Sequence, residues 1–148
     1  MQPDPVLASY RPPSQLVLDK EIDHLDVHCR ALVGLSPFLT LATADADGFP
    51  EVSPRGGDPG FVKVLDEHRL VLPDRQGNNR LDSLRNIVAD PRVAFCFLLP
   101  GVPEAMRVNG RAVISTDPAL CARFAFRGQT PRTVLVTTVE AVYFQCAK

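Results

Sequence analysis

The sequence predicts a mainly β domain of the α+β class, in which one antiparallel sheet closes into a barrel and helices pack outside it. About seven segments are rich in Val, Phe, Tyr, Ile and Thr, as strands are. Several of them are separated by the short turns that join antiparallel neighbours. Only three segments look helical, so the pattern does not fit repeated βαβ units, which alternate strands with helices.

The composition is that of a globular protein and argues against several classes. The 148 residues are 45% hydrophobic and carry a formal net charge of −1, so no basic field favours nucleic acid or anionic lipid as a partner. No apolar run approaches the ~20 residues of a membrane-spanning helix, and no signal peptide is expected. The four scattered cysteines form no C-x-x-C, which predicts reduced thiols, a cytoplasmic location and no metal site.

The N-terminal region divides into an arm and the start of the domain. Residues 1–14 are predicted to form an extended N-terminal arm, since four of them are proline, and residues 15–148 a single domain. Asp19 to Val33 is predicted as the first helix, with Asp19 at its N-terminus. Its apolar stripe consists of Ile22, Leu25, Cys29, Leu32 and Val33.

The first strands follow as hairpins. Phe38 to Ala44 and Phe49 to Ser53 are predicted to pair through a turn at Asp47-Gly48, with positive φ at both turn residues. Further strands are predicted at Phe61 to Asp66, Arg69 to Pro73, Arg92 to Pro100, Met106 to Ser115 and Thr133 to Cys146. A short helix capped by Asp117 precedes the last strand.

The stretch PDRQGNNRLDSLRNIVADPRV, Pro73 to Val93, combines a helix with a cationic lead-in. Asn78 or Asn79 is predicted as the N-cap. Cations such as Arg80 are mildly unfavourable at a helix N-terminus unless an anion lies among them. The stretch therefore indicates either a capped helix with a solvated face or an anion site. The predicted apolar stripe is Leu81, Leu84, Ile87 and Val88.

Two other polar features leave the same choice open. In SPRGGDPG, Arg55 ends a strand and can point at an anion, while the glycines allow a ligand to approach the backbone; a plain loop explains the glycines and proline equally well. In MRVNGRAVIS, alternation places Arg107, Asn109 and Arg111 on one face. That face turns either to solvent or to a ligand or partner subunit.

Three segments carry a family resemblance. They are FLTLATADADGFPEVSPRGG, RLVLPDRQGNNRLDSLRNIVADPRVAFCFLLPG and MRVNGRAVIS, which together cover most of residues 36–115. In this order they resemble the pyridoxamine 5′-phosphate oxidase-like family of FMN-binding split β-barrel proteins. The resemblance implies an FMN-dependent oxidoreductase that acts on a small-molecule substrate as a homodimer, with FMN at the subunit interface.

The resemblance also implies which residues bind the cofactor. The strand before the glycine loop would lie along the flavin ring, and basic residues after it and at the next helix would hold the phosphate. The second subunit would contribute the strand that contains Arg107. Transferred motif by motif, the predicted cofactor-binding residues are Val52, Ser53, Pro54, Arg55, Asn78, Asn79, Arg80 and Arg107.

The sequence also departs from the family. True pyridoxamine-phosphate oxidases use a basic pair and a tryptophan beyond the position of Lys148, and this chain contains no Trp. The resemblance therefore does not predict vitamin B6 oxidation, and no catalytic residue is assigned. Two alternatives stay open at this point: a relative that binds the deazaflavin F420 or haem, and a flavin-binding protein without catalytic activity.

Overall fold

The computed structural model describes residues 4–148, and the described part of the chain contains seven strands and five helices. The strands are β1 (Phe38–Ala44), β2 (Pro50–Gly56), β3 (Lys63–Asp66), β4 (Arg69–Asp74), β5 (Arg92–Leu98), β6 (Glu104–Ser115) and β7 (Thr133–Cys146). The helices are α1 (Pro5–Ala8), α2 (Gln15–Asp19), α3 (Val27–Leu35), α4 (Asp82–Ala89) and α5 (Pro118–Ala122).

All seven strands form one antiparallel sheet in the order β2-β1-β5-β6-β7-β4-β3. The sheet curls around an apolar core but stays open, so the predicted barrel with flanking helices is a split barrel. Residues that alternate along each strand fill the interior. The largest fully buried side chains include Leu39, Leu41, Leu70, Leu72, Phe95, Phe97, Met106 and Leu135.

One ion pair joins two distant positions of the sheet order. Arg55 lies on edge strand β2, and Asp74 ends β4, which is next to the opposite edge strand. The Arg55 Nη1 and Asp74 Oδ1 atoms are 2.9 Å apart. The curvature of the sheet therefore brings its two sides together, and a charge contact spans the opening.

The first long helix begins later than predicted. The Asp26 side chain accepts a 2.9 Å hydrogen bond from the Cys29 N–H and starts α3 at Val27. Ile22 instead exchanges two backbone hydrogen bonds with Val142 of β7, which holds it in extended conformation. The prediction of a helix from Asp19 to Val33 was wrong in its first half, because a distant strand competes for that backbone.

The N-terminal arm is not uniformly extended. Asp4 accepts a hydrogen bond from the Val6 N–H, and Pro5 occupies the first helical position, so the chain forms the short helix α1. Residues 4–14 are all exposed. Residues 1–3 of the predicted arm lie outside the described residues, and the division into an arm and a domain stays a prediction.

The inward face of α4 is more polar than predicted. Ile87 is buried as expected, but Leu81 and Val88 are 46% and 78% exposed, while Ser83 and Asn86 are buried in their place. The predicted apolar stripe was therefore wrong in two of its four positions. The helix packs against a polar part of the barrel, where Asn86 finds hydrogen-bond partners.

The turn between β1 and β2 also differs from the prediction. Of the two turn residues, only Gly48 has positive φ, at 85°. The Asp45 side chain accepts hydrogen bonds from the backbone N–H groups of Asp47 and Phe49, both at 2.9 Å. This Asp-centred turn closes the hairpin, so Asp47 does not need a left-handed conformation.

Candidate functional site

The outer face of the sheet carries two rows of side chains that cross five strands. One row is Pro54, Thr40, Cys96, Arg107 and Tyr143, and the other is Val52, Ala42, Ala94, Asn109 and Ala141. The middle of both rows consists of small side chains. Together with Arg107 and Asn109, they line a shallow cavity of about 130 Å³. This arrangement is a shallow, accessible surface with polar groups along one side.

Arg107 is fixed at the side of this surface. Its guanidinium lies 4.6 Å from the centroid of the Tyr143 ring and donates a 2.8 Å hydrogen bond to the Gln145 side chain. Arg107 has no carboxylate partner within the described residues, and its side chain is exposed. An exposed cation held by an aromatic ring is available to an anionic or polar group that lies on the sheet.

Strand β2 divides the predicted ring-contacting residues between two faces. Val52 and Pro54 point to the outer face, while Ser53 and Arg55 pair with the buried residues Leu41 and Leu39 and share their inward side. The Arg55 Nε donates to Ser53 Oγ at 3.1 Å, and its Nη1 contacts Asp74. The charge of Arg55 is therefore compensated within the protein.

The lead-in to α4 places the remaining predicted residues in one exposed loop. Asn78, Asn79 and Arg80 all lie on the surface, and Asn78 Oδ1 accepts a 3.1 Å hydrogen bond from the Arg80 N–H. Neither asparagine caps the helix, so that prediction was wrong. The N-cap is Leu81, which provides no side-chain hydrogen bond.

This loop stores backbone strain. Asn79 and Leu81 both adopt left-handed conformations, with φ of 59° and 60°. Such a conformation costs a residue like leucine about 1–2 kcal/mol. The first turn of α4, which follows Leu81, has no side-chain cap. Strained residues of this kind cluster at ligand-binding segments.

Arg80 is held only by a weak contact. Its Nε lies 3.0 Å from Asp82 Oδ2, and its side chain is 73% exposed. An exposed ion pair of this kind contributes about 0–1 kcal/mol. An incoming phosphate can therefore replace the Asp82 carboxylate at little cost.

A buried polar contact under α4 was not predicted. Asn86 donates from Nδ2 to Thr43 Oγ1 at 2.9 Å and to the Glu51 carboxylate. These residues lie 43 and 35 positions apart in the chain, and no local pattern pairs them. The contact fixes α4 against β1 and β2, and so sets the position of the strained loop relative to the outer face.

The histidines, cysteines and carboxylates of the described residues form no metal cluster, and the thiol of Cys29 is buried. No group of three or more His, Cys, Asp or Glu side chains in residues 4–148 is arranged to hold a metal ion. The four cysteines are free, and burial, helped by the nearby Asp26 carboxylate, raises the pKa of the Cys29 thiol to about 11. Across the same residues, no helix is both long enough and apolar enough to cross a membrane.

Comparison with known proteins assigns the family. The model of the family described as pyridoxamine 5′-phosphate oxidase matches residues 25–146, which include all seven strands. The chain belongs to this family. The match confirms the resemblance found in three segments of the sequence and extends it through β7. No curated protein sequence matches the chain.

Solved structures of low sequence identity share the fold. HupZ from Group A Streptococcus is 20% identical with a TM-score of 0.65, and the alignment covers 82% of this chain and 94% of that one. A putative pyridoxamine 5′-phosphate oxidase from Lactobacillus delbrueckii is 24% identical with a TM-score of 0.63, covering 82% and 95%. A structure named F420 reductase is 23% identical with a TM-score of 0.52, covering 78% and 94%. At these identities the likeness supports the split-barrel fold alone.

Proposed function

We propose that the protein is an FMN-dependent oxidoreductase that acts on a small-molecule substrate in the cytoplasm as a homodimer. The observation that carries this proposal is the shallow outer face of small side chains, bordered by Arg107 and Asn109, in a chain of this family. FMN supplies the redox chemistry in such a site, and the protein supplies binding and orientation.

The outer face suits a planar ring. Thr40, Ala42, Ala94 and Cys96 leave room above the sheet, since none extends far from the backbone. Val52 and Pro54 continue the same two rows on β2 and pack against one side of a ring placed there. Because β2 is an edge strand, the backbone groups that point away from β1 are free of strand partners and available for hydrogen bonds to the ring.

The loop before α4 suits the flavin phosphate. Arg80 exchanges Asp82 for the phosphate, and Asn78 and Asn79 supply side-chain donors beside it. The uncapped first turn of α4 adds backbone N–H groups and the positive end of the helix dipole. Arg55 contributes less than the sequence predicts, because it already compensates Asp74.

A second copy of the chain completes the site. Phe38, Val52 and Leu98 are exposed apolar side chains on the outer face, and a partner subunit removes them from water. Arg107, at the side of this face, then lies at the subunit interface beside the flavin. The dimer therefore buries the apolar part of the face and supplies the cation at its side.

Substitution of Arg80 tests the phosphate site. Arg80→Ala removes a charge-assisted hydrogen bond worth about 1.5–3 kcal/mol, so FMN affinity should fall roughly 10- to 100-fold. Riboflavin lacks the phosphate, and its affinity should stay unchanged. Fluorescence-quenching titrations with both flavins measure this difference, and Arg85→Ala, at an exposed arginine of α4, is the matched control. Equal losses for both flavins, or none for either, would contradict the assignment.

Substitution in the middle of the outer face tests the dimer. Light scattering of the wild type should give a mass near twice 16.2 kDa. Ala94→Arg places a long cation at the centre of the face, so it should yield monomers without bound flavin, while Ala31→Arg on the exposed side of α3 should remain dimeric. A wild-type monomer that retains its flavin would exclude the interface. Mass and visible spectrum of the co-purified ligand separate FMN from F420 or haem.

A further inference from the structure

We infer that the protein has a second anion site, separate from the flavin, which binds the phosphate or carboxylate group of a small molecule. The site is a cavity of about 140 Å³ between the glycine-containing loop after β2, the end of β4 and the segment after α5. Its cationic residues are Lys63, Arg75 and Arg123. None of them belongs to the flavin site described above.

Arg75 is the residue that identifies the site. Among the arginines of residues 4–148, only Arg55 and Arg75 are half-buried rather than exposed. Arg55 has the Asp74 carboxylate, whereas Arg75 forms no ion pair with any described residue. The Arg75 Nε is also buried without a hydrogen-bond partner. A half-buried cation without a carboxylate partner is costly, and an anion in the cavity lowers that cost.

The position of Arg75 is set by its neighbours. Its guanidinium stacks 4.5 Å from the centroid of the Phe126 ring on one side. On the other side lies Gly57, where an added Cβ would come within 2.7 Å of Arg75 Nη1 and 3.0 Å of Phe61 Cβ. The glycine therefore allows the guanidinium to pack closely against the loop, so that its donors are oriented before any ligand arrives.

The other charges around the cavity also favour an anion. Lys63 lies with its Nζ 5.7 Å from the Phe124 ring centroid and, like Arg123, forms no ion pair with any residue in the described part of the chain. Asp58 is the one carboxylate in the lining, set against three cations. The buried side chains of Phe61 and Phe124 line part of this open cavity and lower the polarity beside the cations, which strengthens their attraction for an oxyanion.

The size of the cavity limits the ligand. Its volume of about 140 Å³ is below the roughly 300–1,000 Å³ of sites that enclose a drug-sized molecule. It has room for the equivalent of several water molecules at about 30 Å³ each. A phosphate or carboxylate group fits this space, with the rest of the ligand outside, whereas a whole flavin nucleotide does not.

Calorimetric and thermal-shift titrations test the site with inorganic phosphate and acetate as probes, and with chloride at matched ionic strength as the control for screening. The wild type should bind phosphate or acetate saturably and show a higher Tm, whereas chloride should not reproduce the effect. Arg75→Gln should weaken binding by about tenfold or more. Gly57→Ala, which displaces the guanidinium without removing it, should also weaken binding.

Two further results separate this site from the flavin site. Arg75→Gln should leave the affinities for FMN and riboflavin unchanged, and protein loaded with one equivalent of FMN should still bind phosphate in the cavity. Arg85→Gln should bind the probes like the wild type, and an unaltered circular dichroism spectrum checks that the Arg75 variant is folded. Phosphate affinity that is unaffected in Arg75→Gln, or that is lost in protein loaded with one equivalent of FMN, would overturn the inference.

Discussion

Arg55 and Arg75 lie close together at one end of the split barrel, and both are half-buried. Only Arg55 has a carboxylate partner. Arg55 pairs with Asp74 at 2.9 Å, while Arg75, the next residue after Asp74, has only an aromatic ring beside it. Adjacent residues at a strand end point to opposite sides, so Asp74 serves an arginine 19 positions away rather than its neighbour. The difference indicates that Arg55 stabilises the fold, whereas Arg75 is available to bind an anionic ligand.

Removal of the Asp74 charge should have the largest effect. Asp74→Asn leaves Arg55 half-buried without a carboxylate, and since about a fifth of each side chain is exposed, we expect a loss of roughly 1–3 kcal/mol, below the 3–5 kcal/mol of a fully buried pair. Urea unfolding measures this loss. Asp82→Asn is the matched control, because it breaks the exposed pair with Arg80. Similar losses in both variants would show that the pair of Arg55 and Asp74 stabilises the fold no more than an exposed ion pair.

Substitution of Arg75 should have a smaller effect on the free energy of unfolding, and that effect should depend on phosphate. Arg75→Gln orphans no carboxylate and gives up one cation–π contact, so in phosphate-free buffer its free energy of unfolding should lie within about 1 kcal/mol of the wild type. Added phosphate should stabilise the wild type and not the variant. Urea unfolding with and without phosphate tests both statements. A large loss without phosphate would mean that Arg75 stabilises the fold as Arg55 does.

A third arginine gives the smallest expected effect. Hydrogen bonds from Arg92 hold the pKa of Asp90 at about 2, below its usual 3.8. The lowered pKa contributes stability that is present above about pH 4 and is lost as the pH falls through about 2. Arg92→Gln should return the Asp90 pKa toward 3.8, which an NMR titration of the carboxyl group detects. Because the Arg92 side chain is 73% exposed, its removal should change unfolding at neutral pH only slightly. A clear loss would show that Arg92 stabilises the fold as Arg55 does.

Local sequence chemistry predicted the strands well. The bounds of β1 and β7 agree with prediction, since alternation, β-branched residues and turn signals all lie within the segments themselves. The start of α3 was missed because Ile22 bonds to Val142, far along the chain. The polar inward face of α4 was missed for the same reason, since the partners of Asn86 lie on β1 and β2.

The candidate site could be predicted only in part. The motifs drew attention to Arg55, Arg80 and Arg107. In the structure, Arg55 is paired with Asp74, Arg80 lies in an exposed loop, and Arg107 lies on the outer face of the sheet. Which arginine is paired depends on how the sheet curls, and the sequence around SPRGG and PDRQGNNR does not contain that information. The left-handed conformation of Leu81 was likewise not predicted, because leucine has no local tendency to adopt it.

The two sides of the split barrel that carry β2 and β4 form a seam without strand pairing, and the ion pair between Arg55 and Asp74 connects them. Salt screens a half-buried pair much less than an exposed one, so this contact opens when one of its charges is removed, as in Asp74→Asn. Strand β2 would then detach from the far side of the seam before the middle of the sheet responds. Amide protons on β2 should accordingly exchange with solvent earlier than those of β6, which has strand neighbours on both sides. Loss of either charge thus acts directly on the strand along which the flavin is proposed to lie.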